Sequence, residues 1–495
     1  MIGRVLVANR GEIAVRIIRA CREAGVESVA VFSDADASAR HVALADSAVR
    51  IGAAPARDSY LNIAAIVDAA RAAQADAVHP GYGFLSERAA FADACASAGL
   101  TFVGPPADVI ERMGSKIAAR ETMRAAGVPV VPGETPADQS EDGVCAALRR
   151  VGVPALIKAS AGGGGKGMRT VIDEARAREA IAAARRESQN AFGDGTLYVE
   201  RLIEEPRHVE VQICGDARGN VVHLLERECS LQRRHQKVIE ESPSPALTPA
   251  VRARLCEAAV AAARAVRYQN AGTVEFLLEG HGDTAQFYFL EMNTRLQVEH
   301  PVTEAIAGVD IVRAQLAIAG GAPVPWTQDA ISARGHAFEC RVYAEDPSRG
   351  FLPQAGPLVL YREPSGPGVR VDSGVAEGDV IGVDYDPMIA KVTVHAETRE
   401  FARRRALTAL RGFPVLGVRT NIAFLIALLE HPAFVGCEVD TGFIDRHLQE
   451  LVRRPPPPPE ALAVAAAVDA PQARVAAGAP LAAADPWTDL RGWGR

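Results

Sequence analysis

Every second residue from Glu291 to Glu299 can do chemistry: Glu291, Asn293, Arg295, Gln297 and Glu299 alternate with Met292, Thr294, Leu296 and Val298. In an extended segment this spacing sends all five to one face. Phe287, Phe289 and Leu290 before the run, and His300, Pro301 and Val302 after it, read as the entry and exit of a buried strand. A buried face carrying two carboxylates, an amide and a guanidinium must hydrogen-bond them or hold a metal, because unpaired burial costs roughly several kcal/mol per ion. An active-site face is the simplest reading, and an exposed edge strand is the alternative.

Glu275, within residues 272–276, and Glu291 fall on two strands separated by a short turn around residues 281–283. A hairpin brings the two carboxylates together. With an amide oxygen they suit hard, octahedral Mg²⁺ bridging nucleotide phosphates; a salt bridge to Arg295 is the alternative. Residues 158–167 (KASAGGGGKG) offer consecutive N–H groups for phosphates with a cation at each end. This run contains GxGxxG, but a strand follows it instead of a helix, and Ser160 and Gly167 break a Walker A pattern. It reads as a lid between two strands over a nucleotide, or else as a flexible hairpin tip. Residues 226–237 concentrate cations and amides, which suits either a site or a solvated face.

Positioning such groups takes alternating elements. Residues 4–8, 28–32 and 77–79 read as strands and 12–24 and 63–73 as helices, a parallel α/β unit whose first turn lacks a dinucleotide fingerprint. Next, 154–159, 168–172, 196–201, 209–214, 221–226, 272–279 and 286–293 read as strands, with helices at 173–188 and 249–266. A third unit combines strands at 338–343, 369–372 and 390–394 with helices at 398–411 and 421–430. Residues 455–459 form a stiff polyproline piece, and the Ala-rich stretch beyond reads as linker.

Composition narrows the class. The 495 residues are 48% hydrophobic with a net charge of −7, enough for a large core and no signal for nucleic acid or an anionic membrane. No apolar run reaches membrane-spanning length, no secretory leader is visible, and eight scattered cysteines without a CxxC pair fit reduced thiols, so a cytoplasmic chain is expected. Only five of the 54 basic residues are lysines (116, 158, 166, 237 and 391), and the first four fall in chemistry-bearing motifs.

These strings together resemble the biotin carboxylase family of ATP-grasp enzymes over about residues 1–447: 8–13 (ANRGEI), 79–87 (HPGYGFLSE), 113–116 (MGSK), 157–160 (IKAS) with its glycine loop, 207–210 (RHVE), 232–237 (QRRHQK), 291–303 and 339–341 (ECR). The resemblance implies a mixed α/β and α+β architecture. Its parts are a Rossmann-like pre-ATP-grasp domain (1–112), an ATP-grasp domain (113–330, lid about 131–203), a C-terminal biotin carboxylase domain (331–447) and a Pro/Ala-rich tail (448–495).

By the same resemblance Lys116, Lys158 and His208 bind ATP phosphates under a loop of Gly162, Gly163, Gly164, Gly165, Lys166 and Gly167. Glu200 to Ile203 form the adenine hinge, and Gln232 and His235 complete that pocket. Glu275, Glu291 and Asn293 hold Mg²⁺ or Mn²⁺. Lys237, Arg295, Gln297 and the Val298 backbone hold bicarbonate, with Glu299 as general base and Arg341 stabilising the biotin enolate. ATP, the metal and carrier-bound biotin are the implied cofactors and substrates. Partners are a biotin carboxyl carrier protein or domain, a carboxyltransferase subunit and a second copy of the chain, with Arg19 and Glu23 near that interface.

No biotin-accepting Met-Lys-Met site occurs, so biotin arrives on another chain or a downstream domain. The segment with Trp487 and Trp493 resembles the junction after this domain in acyl-CoA carboxylase α subunits of the methylcrotonyl-CoA type. Two readings compete. An ATP-grasp ligase of carbamoyl-phosphate or amino-acid type is opposed by Arg341 and by 232–237; a dead nucleotide-binding scaffold is opposed by the presence of every expected reacting residue.

Overall fold

The computed structural model describes residues 2–160, 167–234, 236–453 and 459–469. Three sheets of four or more strands organise residues up to 452, beside three two-stranded ones. The first is parallel, in the order β3 (Ser47–Gly52), β2 (Glu27–Ser33), β1 (Arg4–Val7), β4 (Ala77–His79), β5 (Thr101–Phe102). The strand order reverses beside β1, as in doubly wound folds. Helix α1 (Gly11–Glu23) follows β1 through a turn in which Gly11 takes φ 65°, and it buries Ile13, Val15, Ile17 and Ile18.

The second sheet, β6 (Gly133–Glu134), β9 (Leu197–Arg201), β7 (Ala155–Ala159) and β8 (Arg169–Val171), is antiparallel. Helices Glu141–Val151 and Ala177–Phe192 cover it with their buried Val144, Leu148, Ile181 and Ala184. The helix expected at 173–188 therefore starts later, after a short 3₁₀ turn at Glu174–Arg176 whose Asp173 side chain accepts from the Ala175 N–H. Helices Ala107–Gly114 and Lys116–Ala125 were not anticipated.

The third sheet is antiparallel and continuous through β14 (Gln286–Asn293), β13 (Asn270–Glu279), β10 (Arg207–Gly215), β11 (Val221–Arg233), β12 (Gln236–Ser242) and β15 (His336–Tyr343), then the strands Met388–Ala396 and Val369–Ser373. One sheet thus joins the central region to the third. Its alternation sorts the side chains: Val209, Val211 and Ile213 of β10 and Val274, Phe276 and Leu278 of β13 enter the core with helix Pro249–Ala265. His208, Glu210, Thr273 and Glu275 are left for the opposite face.

One open reading is narrowed and one expectation corrected. Most of the run 226–237 is no solvated face: β11 continues to Arg233, and Glu226, Arg227, Glu228 and Gln232 are buried, because the strand lies mid-sheet between β10 and β12, although Arg234 is exposed. Part of the Ala-rich stretch is helical, Pro459–Asp469, as the high helix propensity of alanine favours. Residues 161–166, His235, 454–458, Trp487 and Trp493 lie outside the described residues.

Candidate functional site

The five-residue face does not form as one strand. β14 stops at Asn293, and Arg295 to Glu299 lie in a loop leading to helix His300–Ala307, whose first turn accepts Pro301 and whose end is set by Gly308 at φ 67°. A bulge also intervenes. Glu275 pairs with Glu291 but Phe276 with Phe289, so Leu290 is an extra residue. Phe287 and Phe289 point into the core, whereas Glu291, of the same parity, reaches the opposite face.

That face borders a cavity of about 880 Å³ between the second and third sheets, lined by residues of both. Its apolar lining includes Leu156, Met168, Tyr198, Leu202, Ile203 and Leu277. The lining also includes Lys116, Lys158, Glu200, His208 and Gln232, together with Lys237, Glu275, Glu291, Asn293, Arg295, Gln297, Val298 and Arg341. Glu299 is fully buried behind them. Gly167 packs against Ala159 instead, its carbonyl accepting from the Ala159 N–H at 3.2 Å.

A row of acids crosses the sheet: Glu210 pairs with Glu275, and Glu275 with Glu291. Directly opposed like charges destabilise a sheet unless something offsets them. Lys237 does so for the inner part, its Nζ 2.8 Å from Glu275 and 2.6 Å from Glu299, with Glu210 as a third partner; His208 Nε2 stands 3.0 Å from the other Glu275 oxygen. Burial pushes the Glu275 carboxyl up, but Lys237 and His208 outweigh it and hold the acid well below the usual carboxylate range. Glu291 behaves oppositely. Burial and the Glu275 charge push it up, against the weaker pull of Lys116, and among the described residues no Lys or Arg pairs with it.

Glu299 accepts from Lys237 on one oxygen and from Arg341 at 2.9 Å on the other. Despite burial these cations, with Arg227, keep it far below its ordinary value, so it is ionised at neutral pH. Arg341 also donates to Glu240 at 2.6 Å. Arg295 pairs not with either hairpin acid but with Glu87 at 2.9 Å, and it donates to Gln297 and Asn293. Asn293 Nδ2 donates to Glu275 at 2.8 Å. Farther along, Lys158 meets Glu200 at 2.6 Å while Arg120 takes the other Glu200 oxygen, so the Glu200 side chain is committed to two cations.

Hard carboxylate oxygens on adjacent strands, one lacking a cation, fit a divalent metal; the donor atoms of His208, Glu210 and Glu275 also lie within 4.8 Å of one another. Comparison with known proteins shows the family. The family model described as biotin carboxylase, N-terminal domain matches residues 1–110, the carbamoyl-phosphate synthase L chain ATP binding domain 115–327, and the biotin carboxylase C-terminal domain 339–446. The biotin carboxylase of Halalkalibacterium halodurans is 49% identical over 456 residues, covering 92% of this chain and all 100% of its own.

This chain belongs to the biotin carboxylase family.

Its ATP-binding region is shared with carbamoyl-phosphate synthases, but both flanks are those of biotin carboxylases. The mitochondrial methylcrotonoyl-CoA carboxylase subunit alpha of Oryza sativa subsp. japonica is 52% identical over 91% of the chain, which spans 61% of that subunit's length. Among solved structures, the biotin carboxylase domain dimer of Hydrogenobacter thermophilus 2-oxoglutarate carboxylase, in complex with MgADP, ADP and bicarbonate, superimposes with a TM-score of 0.88 at 44% identity, over 92% of this chain and 100% of that domain.

Several residues that the structure brings into this cluster were not singled out from the sequence: Glu210, Arg227, Glu240, Glu87 and Arg120. Two signals were available for Glu210. It sits on the same strand parity as His208, and it alternates with Val209, Val211 and Ile213.

Proposed function

We propose that this chain uses ATP and bicarbonate to carboxylate biotin presented by a carrier, through carboxyphosphate. The observation that carries the reading is that Lys237, Arg341 and the ionised Glu299 meet at the same cavity as the Glu275–Glu291 pair. Lys116, Lys158 and His208 hold the triphosphate, with the apolar lining at Ile203 for the base and Gln232 and His235 completing the pocket. The loop of Gly162 to Gly167 covers it. Glu275, Glu291 and Asn293 hold Mg²⁺ or Mn²⁺, which supplies charge neutralisation to the phosphates.

Lys237, Arg295, Gln297 and the Val298 backbone hold bicarbonate beside the γ-phosphate. Glu299 takes its proton, bicarbonate oxygen attacks the γ-phosphorus as the bond to the β-phosphate oxygen breaks and ADP leaves, and the carboxyphosphate so formed breaks to CO₂ and phosphate; phosphate removes the biotin N1 proton and the resulting enolate captures CO₂. Arg341 stabilises that enolate. Closing the loop keeps water from the labile intermediate.

The domain limits 1–112, 113–330 and 331–447, a carrier protein or domain, a carboxyltransferase subunit and a homodimer using Arg19 and Glu23 complete the reading. Seven of the eight unpaired cysteines are buried, which supports a reducing, cytoplasmic setting, and among the described residues no helix is long and apolar enough to cross a membrane. ATP hydrolysis measured with and without bicarbonate and free biotin tests the core claim. Hydrolysis that needs bicarbonate and yields carboxybiotin supports it; hydrolysis indifferent to bicarbonate, or driven by ammonia or an amino acid instead, overturns it.

A further inference from the structure

The fifth lysine of this lysine-poor chain, Lys391, does not itself line the cavity, yet its side chain is fully buried. It stands on the strand Met388–Ala396 directly opposite Arg341 on β15. Two cations facing each other across a ladder are unfavourable, so their placement calls for a reason. Both reach the same short turn. Arg341 grips the Glu299 side chain, and Lys391 Nζ donates to the Val298 carbonyl at 2.5 Å.

That carbonyl belongs to the peptide joining Val298 to Glu299. In a planar trans peptide, fixing the C=O direction fixes the attached N–H and the path into Glu299. The neighbouring carbonyl, of Gln297, is taken by His300 Nδ1 at 2.7 Å, so residues 297–300 are pinned at successive peptides before helix His300–Ala307 begins. Behind Lys391, Glu12 Oε2 lies 3.6 Å away and the other Glu12 oxygen accepts from Tyr82, which lines the cavity. The start of α1 is seated there against Gly374, where a Cβ would come within 2.6 Å of the Glu12 nitrogen. The ammonium thus links the turn to the first sheet's loops.

We propose that Lys391 is a positioning residue for biotin carboxylation: through the Val298 carbonyl it sets the Val298–Glu299 peptide so that Val298 and Glu299 meet bicarbonate in register. This rests on the reading of the 295–299 loop as the bicarbonate site. The plainer alternative gives Lys391 only the task of offsetting buried acids in the interior, Glu12 and Glu339, Asp372 being already paired with Arg370 at 2.9 Å.

The two roles separate in a set of three variants, each assayed in the full chain for bicarbonate-dependent ATP hydrolysis and biotin carboxylation. Lys391→Met alone leaves Glu12 buried without a cation and serves as the stability control. Lys391→Met with Glu12→Gln removes both charges, and Glu12→Gln alone keeps the bond to Val298. The positioning role expects the double variant to melt near the parent but to lose about 100-fold in kcat/KM for bicarbonate, with KM for ATP within about twofold, the size of loss a displaced reacting group produces. It expects Glu12→Gln to keep the parent's bicarbonate kinetics.

A double variant with parental bicarbonate kinetics, or an equal rise in both KM values, overturns the positioning role while leaving the proposed function standing. A parent protein whose ATP hydrolysis ignores bicarbonate overturns both.

Discussion

Glu275 faces Glu291 across adjacent strands, yet the two acids share no cation: Lys237 and His208 hold the first, and among the described residues neither Lys nor Arg pairs with the second. The outer carboxylate is thereby left with charge to offer a ligand.

Glu291→Gln removes the repulsion with Glu275 and an ionised group that burial disfavours. The variant is expected to melt higher than the parent without metal, by the equivalent of about 1 kcal/mol, and to need at least about 10-fold more Mg²⁺ for half-maximal turnover. Melting curves and Mg²⁺ titrations at saturating ATP check both. A lower melting point with an unchanged Mg²⁺ requirement contradicts the metal assignment.

Glu299→Gln keeps the shape of a fully buried side chain and loses its charge. Turnover is expected to fall about 100-fold or more, the usual worth of a positioned base, while nucleotide binding stays near the parent's. Isothermal titration with an ATP analogue alongside steady-state rates reads the two separately, and wild-type turnover refutes the role.

Arg341→Ala would, from sequence alone, be expected to leave the fold intact. The structure changes that expectation: Arg341 is the cation between buried Glu240 and Glu299, and burial already pushes Glu240 up to about 7 with the guanidinium in place. Its removal should cost about 3 kcal/mol of stability as well as activity, and adding Glu240→Gln should restore part of the stability but none of the carboxylation. Urea unfolding of the single and double variants, with carboxybiotin assays, decides it.

Acid should loosen the first sheet. Burial pushes His41 down to about 4 and His79 down to about 3, so both are neutral in the folded chain but protonate near pH 6.5 when unfolded. The unfolded state therefore binds more protons below 6.5. Stability is whole above that pH and is lost as pH falls toward 4, by roughly 3 kcal/mol for His41. Urea midpoints between pH 7 and 4.5 should show this slope, and His41→Gln should flatten it.

The acid pair was legible because strand alternation and residue type agreed: Glu275 and Glu291 fall on strands rich in Val, Leu and Phe, whereas the places of Lys116, Lys158, His208 and Arg341 came only with the family resemblance. What could not be seen were events that break periodicity. The alternating run from Glu291 reads as one strand, but the peptide leaves the sheet after Asn293, and its later members converge through a loop and ion pairs to Glu87, Lys237 and Arg341. Long-range partners were equally hidden. Glu240 and Arg341 are adjacent only because β12 pairs with β15, and Lys391 reads in isolation as a stray charge in an apolar strand.

The added residue at Leu290 carries a consequence for how tolerant this stretch can be. Phe289 and Glu291 stand two apart yet look to opposite sides, so forcing Leu290 into a regular ladder at unchanged chain length would turn the Glu291 carboxylate toward the oil of Phe287 and Phe289 and bring Met292 out of it. Losing the Leu290 codon, by contrast, should straighten the strand while leaving Glu291 opposite Glu275.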